Sequence, residues 1–390
     1  RRHTRYFLAS RGLGDVYKRQ HLIGTGTPIE PLPSPDVSER PEITFPDGFL
    51  WGAATASYQI EGGARDGGRG PSVWDDFSHT EGKVAHGHTG DVACDHYHRV
   101  ADDVALMADL GLRAYRFSIS WSRVLPEGRG KPNADGIGWY SDLVDRLLSH
   151  DIVPCPTLFH WDLPSALEEI GGFRNRDIPN WFADYAALMA DRLGDRVTMW
   201  ATLNEPWCHA FLGHASGDHA PGLRDHRAAV TVAHHQLLGH GLAVEAMRAE
   251  RNDLQLGVVY NPGPVRSEGE PSASNDAIRK VDGFHNRWWF DAVLTGAYPS
   301  DIIDDLGPLA DAIQPGDLAQ IAQPIDWIGL NYYFDRVLSA DGGDHIDVVW
   351  RLTPTAFREA GRSTGNITIL VLTLVFSSTF FSLVFRELGG

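Results

Sequence analysis

Between residues 43 and 335 two patterns alternate along the chain. Short apolar runs bounded by turn residues fall at 49–57, 113–120, 152–160, 197–204, 254–260 and 326–332. Runs of that kind, without strict alternation, suit parallel strands covered on both faces. Between them lie stretches of helical period. In 97–110, Val100, Val104, Met107 and Leu110 fall near one face, and 178–193 and 228–251 read as further helices. Gly111, Gly194 and Gly257 follow these stretches, where a glycine commonly stops a helix. Repeated strand and helix units predict a parallel α/β fold. An open doubly wound sheet and a closed barrel both satisfy that pattern. No G-x-G-x-x-G opens the first helix, and polar and aromatic residues gather at the C-terminal end of nearly every run, which selects the barrel.

The two ends break the pattern. Residues 1–20 are basic, with six Lys and Arg against one Asp, and lack the apolar stretch of a signal peptide. They are expected to be foreign to the protein, and 21–42, rich in Pro, Thr, Ser and Glu, to be a linker. At the other end, 367–385 carries no charge and is long enough to cross a bilayer. Its Ser/Thr-rich, β-branched character and missing basic flank favour a frame-shifted or chimeric segment over a membrane anchor. The expected division is therefore a tail at 1–42, a partial barrel at 43–336 and a divergent segment at 337–390.

Charge narrows the partners. The 390 residues hold 34 Lys and Arg against 51 Asp and Glu, a formal net charge of −17, so nucleic acid and anionic membrane surfaces are poor partners. Cys94, Cys155 and Cys208 form no C-x-x-C pair, which points to a reducing, cytoplasmic setting rather than a disulfide framework or zinc knuckle. The histidines offer no helical metal pair, since His96 and His98 are two apart and His234 and His235 adjacent.

Chemistry collects at the predicted strand ends: Gln59 and Glu61, Arg116, then His160, Trp161 and Asp162, then Asn204 and Glu205, then Asn331 and Tyr333. Glu205, in T-L-N-E-P-W, would sit at the rim of an apolar barrel. Poor solvation there favours the neutral acid, as a general acid requires. On spacing alone a rim carboxylate in a structural salt bridge is an equal alternative.

The motifs FLWGAATASYQIEGG (49–63), YRFSISWSRVLP (115–126), LFHWDLP (158–164), TLNEPW (202–207), HAPG (219–222) and DWIGLNYY (326–333) stand in the order found in glycoside hydrolase family 1, the β-glucosidase family, which the chain resembles over residues 43–336. The resemblance implies a (β/α)8 barrel, here carried through about six strands. It also implies hydrolysis of β-linked glucosides or short oligosaccharides with retention, without metal or organic cofactor. Glu205 would be the general acid/base; Gln59, His160 and Asn204 would bind sugar hydroxyls, and Trp161 and Trp207 would face sugar rings. Arg116, Asn331 and Tyr333 would hold the nucleophilic carboxylate or its neighbour. That nucleophile is the Glu of a T-E-N-G motif, which is nowhere in this chain. Without it the expectation is an inactive fragment with two open sheet edges. A non-catalytic sugar-binding relative and a 6-phospho-β-glycosidase are the other readings.

Overall fold

The structure is a computed structural model that describes residue 45 and residues 48–267, 275–338 and 344–347. The tail at 1–42 and the apolar run 367–385 lie outside the described residues. Six parallel strands form a curled sheet: β1 (Gly52–Ala54), β2 (Ala114–Ser118), β3 (Val153–Phe159), β4 (Met199–Asn204), β5 (Gln255–Tyr260) and β7 (Trp327–Leu330), hydrogen-bonded in that order. Each falls within a run that the apolar pattern singles out. In the first, only three of the nine residues at 49–57 form strand. Among the described residues β1 and β7 are the edges of this sheet.

Three further strands lack a clear apolar signature. β6 (Val265–Ser267) pairs parallel with β8 (Asp335–Leu338), which pairs antiparallel with β9 (Asp344–Asp347). Strand β8 therefore runs across position 336, the expected end of the partial barrel.

The long connections are helical. They are α1 (His96–Asp109), α2 (Ala134–Ser149), α3 (Ile178–Leu193) and α4 (His226–Glu250). In α1 the buried face is His96, Val100, Val104 and Met107. Leu110 does not join it: the helix stops one residue earlier, and Leu110 is 46% exposed. The stop is made by Gly111, whose φ of 73° favours glycine. Gly257 has a different use. It lies within β5, well past the end of α4, and a Cβ there would come within 2.3 Å of the Trp327 ring. Its missing side chain lets β7 seat that tryptophan against β5.

Between sheet and helices lies one large apolar core, with Tyr115, Trp121, Tyr140, Phe159, Tyr185 and Trp200 fully buried. Trp121 stacks on Tyr185 at 5.0 Å between ring centroids. A smaller apolar group, Cys155, Met199, Ala201, Val259 and Trp327, joins strands β3, β4, β5 and β7.

The loops at the strand ends are tied by one buried ion pair. Glu61, after β1, accepts from Arg123 Nε at 3.1 Å and from the Tyr140 hydroxyl at 2.6 Å. Arg123 also donates to the Gly62 carbonyl at 3.1 Å and lies 4.2 Å from the Tyr97 ring centroid. Both charges are almost solvent-free, with Arg123 0% exposed and Glu61 4%. Removing one charge leaves the other buried and unpaired, which costs about 3 kcal/mol or more. Glu61→Gln should therefore lower the unfolding free energy by about 3 kcal/mol, measured by urea denaturation. A loss below about 1 kcal/mol would mean that water reaches Arg123.

Candidate active site

Strand ends β2, β3, β4 and β7 bring most of the expected residues into one network centred on Asn204. Its Oδ1 accepts from Arg116 Nη1 at 2.9 Å and from Asn331 Nδ2 at 3.1 Å. A guanidinium has no acceptor, so the amide atom facing Arg116 must be the oxygen, and the nitrogen faces His160. That Nδ2 donates to His160 Nε2 at 3.0 Å. The imidazole is half-buried, and desolvation together with the Arg116 charge pushes its pKa well below the usual histidine value. It is therefore neutral, accepts through Nε2 and carries its proton on Nδ1. That proton has no partner among the described residues.

Glu205 follows Asn204 at the end of β4 and is 4% exposed. Its φ of 43° lies in the left-handed region, as does that of Trp161 at 75°. Non-glycine residues persist there only where their surroundings impose it, and such positions cluster at functional sites. The Glu205 N–H donates to the Val259 carbonyl at 2.8 Å. Its Oε1 accepts from Asn331 Nδ2 at 2.5 Å and from the Tyr333 hydroxyl at 2.8 Å. Burial and the adjacent carboxylate push the Tyr333 phenol well above its usual pKa, so it stays a donor. No ion pair to Glu205 is formed among the described residues, so the salt-bridge alternative has no support there. Asn331, expected with Tyr333 to hold the nucleophilic carboxylate or its neighbour, here reaches Asn204 and Glu205, and Tyr333 reaches Glu205.

Arg116 is 6% exposed, and its hydrogen bonds go to neutral groups, Asn204 and Thr157 Oγ1. Its Nε is buried without a partner among the described residues, and burial lowers its pKa. Trp161 donates its indole N–H to the Asn204 carbonyl at 2.7 Å, locking its ring beside the network. Trp207 lies farther out. Phe211 stacks near it at 5.8 Å, the His285 ring meets it edge-on at 4.9 Å, and the Arg336 guanidinium lies 5.1 Å from its centroid. Gln59 is on the helical turn Ser57–Ile60, half-buried, and touches no member of the network by a hydrogen bond. Its turn is anchored by Ser57, which donates to Asp162 Oδ2 at 2.8 Å and through its N–H to Ser118 Oγ at 2.7 Å. Asp162 is fully buried, and burial raises its pKa to about 6.

The sequence profile described as Glycosyl hydrolase family 1 matches residues 41–351. The chain belongs to this family. Thermostable beta-glucosidase B of Thermobispora bispora is 51% identical over 302 residues, which cover 77% of this chain and 62% of that protein. Beta-glucosidase A of Thermotoga maritima is 44% identical over 298 residues, 76% of this chain and 67% of that one. Thus the chain spans only about two thirds of these relatives' length. Among solved structures, the psychrophilic beta-glucosidase of Micrococcus antarcticus superposes with a TM-score of 0.78 at 40% identity, covering 83% of this chain and 76% of that one. The Thermotoga maritima beta-glucosidase in complex with deoxynojirimycin does so at 0.72 and 41%, covering 80% and 70%. The six parallel strands are the corresponding part of a family 1 TIM barrel.

Sequence reasoning passed over Cys208, whose thiol donates to Glu205 Oε2 at 3.3 Å. A cysteine three residues after the glutamate, across one helical turn, was the available signal. Among the described residues no group of three or more His, Cys, Asp or Glu is placed to hold a metal ion, and no helix is long and apolar enough to cross a membrane.

Histidines buried behind the rim give the site a pH limit. Burial pushes His214, His219 and His240 down to about 4, and His209 well below its usual value. The unfolded chain takes up these protons from about pH 6.5 downward, whereas the folded chain refuses them until about pH 4. Stability is therefore full above pH 6.5 and falls as pH drops toward 4. Asp162 works the other way, because its raised pKa favours the folded state below about pH 6. Glu168 and Asp291, also raised by burial, act with Asp162 but are outnumbered by the buried histidines, so the urea midpoint should fall between pH 7 and pH 5, and His240→Gln should flatten that slope. A midpoint that rises on acidification would contradict this assignment.

Proposed function

We propose that these residues form the acid-bearing and sugar-gripping part of a retaining β-glycosidase site for β-linked glucosides or short oligosaccharides. The observation that carries the reading is Glu205: a buried carboxyl at a strand end, in strained backbone, with two strong donors fixed on one oxygen. As the acid, its proton goes to the glycosidic oxygen while the bond to the anomeric carbon breaks; as the conjugate base, it then takes a proton from the attacking water.

His160, with its Nδ1 proton unused, and Asn204 are assigned to sugar hydroxyls, and Gln59 can grip two neighbouring ones through its carbonyl and amide. Trp161 and Trp207 supply the apolar walls. Arg116, a buried cation whose partners are neutral, is assigned to steady the second carboxylate, together with Asn331 and Tyr333. The Thermotoga maritima neighbours bound to deoxynojirimycin and to a substituted glucoimidazole support a glucose-shaped ligand. Three cysteines outside any disulfide support a cytoplasmic setting.

Because the 390 residues contain no T-E-N-G, this chain by itself is assigned binding without turnover. Calorimetric titration with deoxynojirimycin, paired with hydrolysis of a dinitrophenyl β-glucoside, tests both parts. Binding is expected, weakened roughly tenfold by His160→Ala or Asn204→Ala, since one hydrogen bond contributes about 1 kcal/mol or more. No hydrolysis above a Glu205→Gln control is expected. Absence of binding would sink the sugar-site reading, and clear turnover above the control would show that the chain supplies its own second carboxylate.

A further inference from the structure

The side chain of a glutamate ends in a torsion with broad, roughly two-fold preference, so an aimed carboxylate needs restraint on both oxygens. For Glu205 the restraint on Oε1 comes from Asn331 and Tyr333. The opposite oxygen has a different donor. After Glu205 the chain turns at Pro206 into the wide helical segment Cys208–Ser216, and the Cys208 N–H closes the turn on the Glu205 carbonyl at 2.9 Å. That turn lays the Cys208 thiol back over the glutamate, with Sγ 3.3 Å from Oε2. Asn261, just after β5, in turn donates its Nδ2 to Sγ at 3.5 Å. The sulfur is thus held from a second strand end, and its hydrogen is directed at the carboxylate.

The geometry points to Cys208 as a positioning residue for Glu205, its S–H fixing the carboxylate torsion through Oε2. This rests on the acid/base reading above. The choice of a thiol has a chemical logic. Two strong donors occupy Oε1, so the proton that the acid gives away must reside on Oε2. A hydroxyl or amide on Oε2 would compete for that lone pair, whereas an S–H is a weak donor that orients the oxygen and gives way when the proton arrives. Burial and the adjacent carboxylate keep the thiol protonated, far above its usual pKa, so the donor survives across the range in which the enzymes of this class work. Cys208 is 6% exposed, so it is no exposed nucleophile.

Infrared spectroscopy of the full chain reads this contact without requiring turnover. Three S–H bands are available, and Cys208→Ser and Cys208→Val identify the one from Cys208. That band should lie at lower frequency than the Cys155 band and move up toward it in Glu205→Gln, while the other two stay in place. The Glu205 carboxylate band, isolated by subtracting the spectrum of Glu205→Gln, should broaden in Cys208→Val, which keeps the volume and removes the donor. It should narrow again in Cys208→Ser. An S–H band indifferent to Glu205→Gln, or a carboxylate band of equal width in Cys208→Val, overturns the proposal. Should Cys208→Val fail to fold, the shift in Glu205→Gln decides alone. If instead the bands respond as expected while the chain binds no deoxynojirimycin, the contact stands and the sugar-site reading falls.

Discussion

Everything in the site depends on one amide. Asn204 is 1% exposed, and its two polar atoms join the ends of three other strand segments: Arg116 from β2, His160 after β3 and Asn331 after β7. An amide presents oxygen on one side and nitrogen on the other, and neither can be exchanged without losing a buried hydrogen bond. The guanidinium fixes the oxygen, the oxygen fixes the nitrogen, and the nitrogen fixes which imidazole atom carries the proton. A two-carbon side chain thus dictates the protonation of a ring belonging to another strand.

The surrounding frame is built to tolerate strain at that point. Trp161 and Glu205 follow the ends of adjacent strands, both with positive φ, and Trp161 donates its indole N–H to the carbonyl beside Glu205. Such backbone costs on the order of 1–3 kcal/mol per residue. Strands buried on both faces and the Glu61–Arg123 pair under the loops supply the rigidity that keeps it from relaxing. The glutamate is consequently presented by its backbone as well as by its hydrogen bonds.

Much of this was legible in the chain. The six apolar runs mark the six strands because parallel strands covered on both faces must be apolar throughout, and the helix predicted at 178–193 matches α3. The same reasoning missed β6, β8 and β9, since strands such as Asp335–Leu338 mix charged and apolar residues and give no periodic signal. It also read Leu110 as buried and Gly257 as a helix stop, because periodicity does not reveal where a helix ends or which ring lies opposite. In the site, the motifs placed Asn204, Glu205 and His160 together. What no motif shows is the partner of each atom: that Asn331 and Tyr333 grasp Glu205, or that Trp207 is flanked by Phe211 and Arg336. Those contacts join residues far apart in sequence and depend on side-chain geometry alone.

Arg116 gives the molecule an inverted electrical profile. The chain carries a formal charge of −17, so an approaching ion meets a negative surface. At the floor of the site, a buried guanidinium bonded to neutral groups carries the opposite sign. Dissolved salt screens exposed charges over roughly 8 Å at physiological strength, but it has little access to a buried one. Raising ionic strength therefore flattens the outer field and leaves the inner one standing. A neutral sugar crosses that reversal without penalty, while the positive charge that develops at its anomeric carbon would feel Arg116 unless a negative group stands between them.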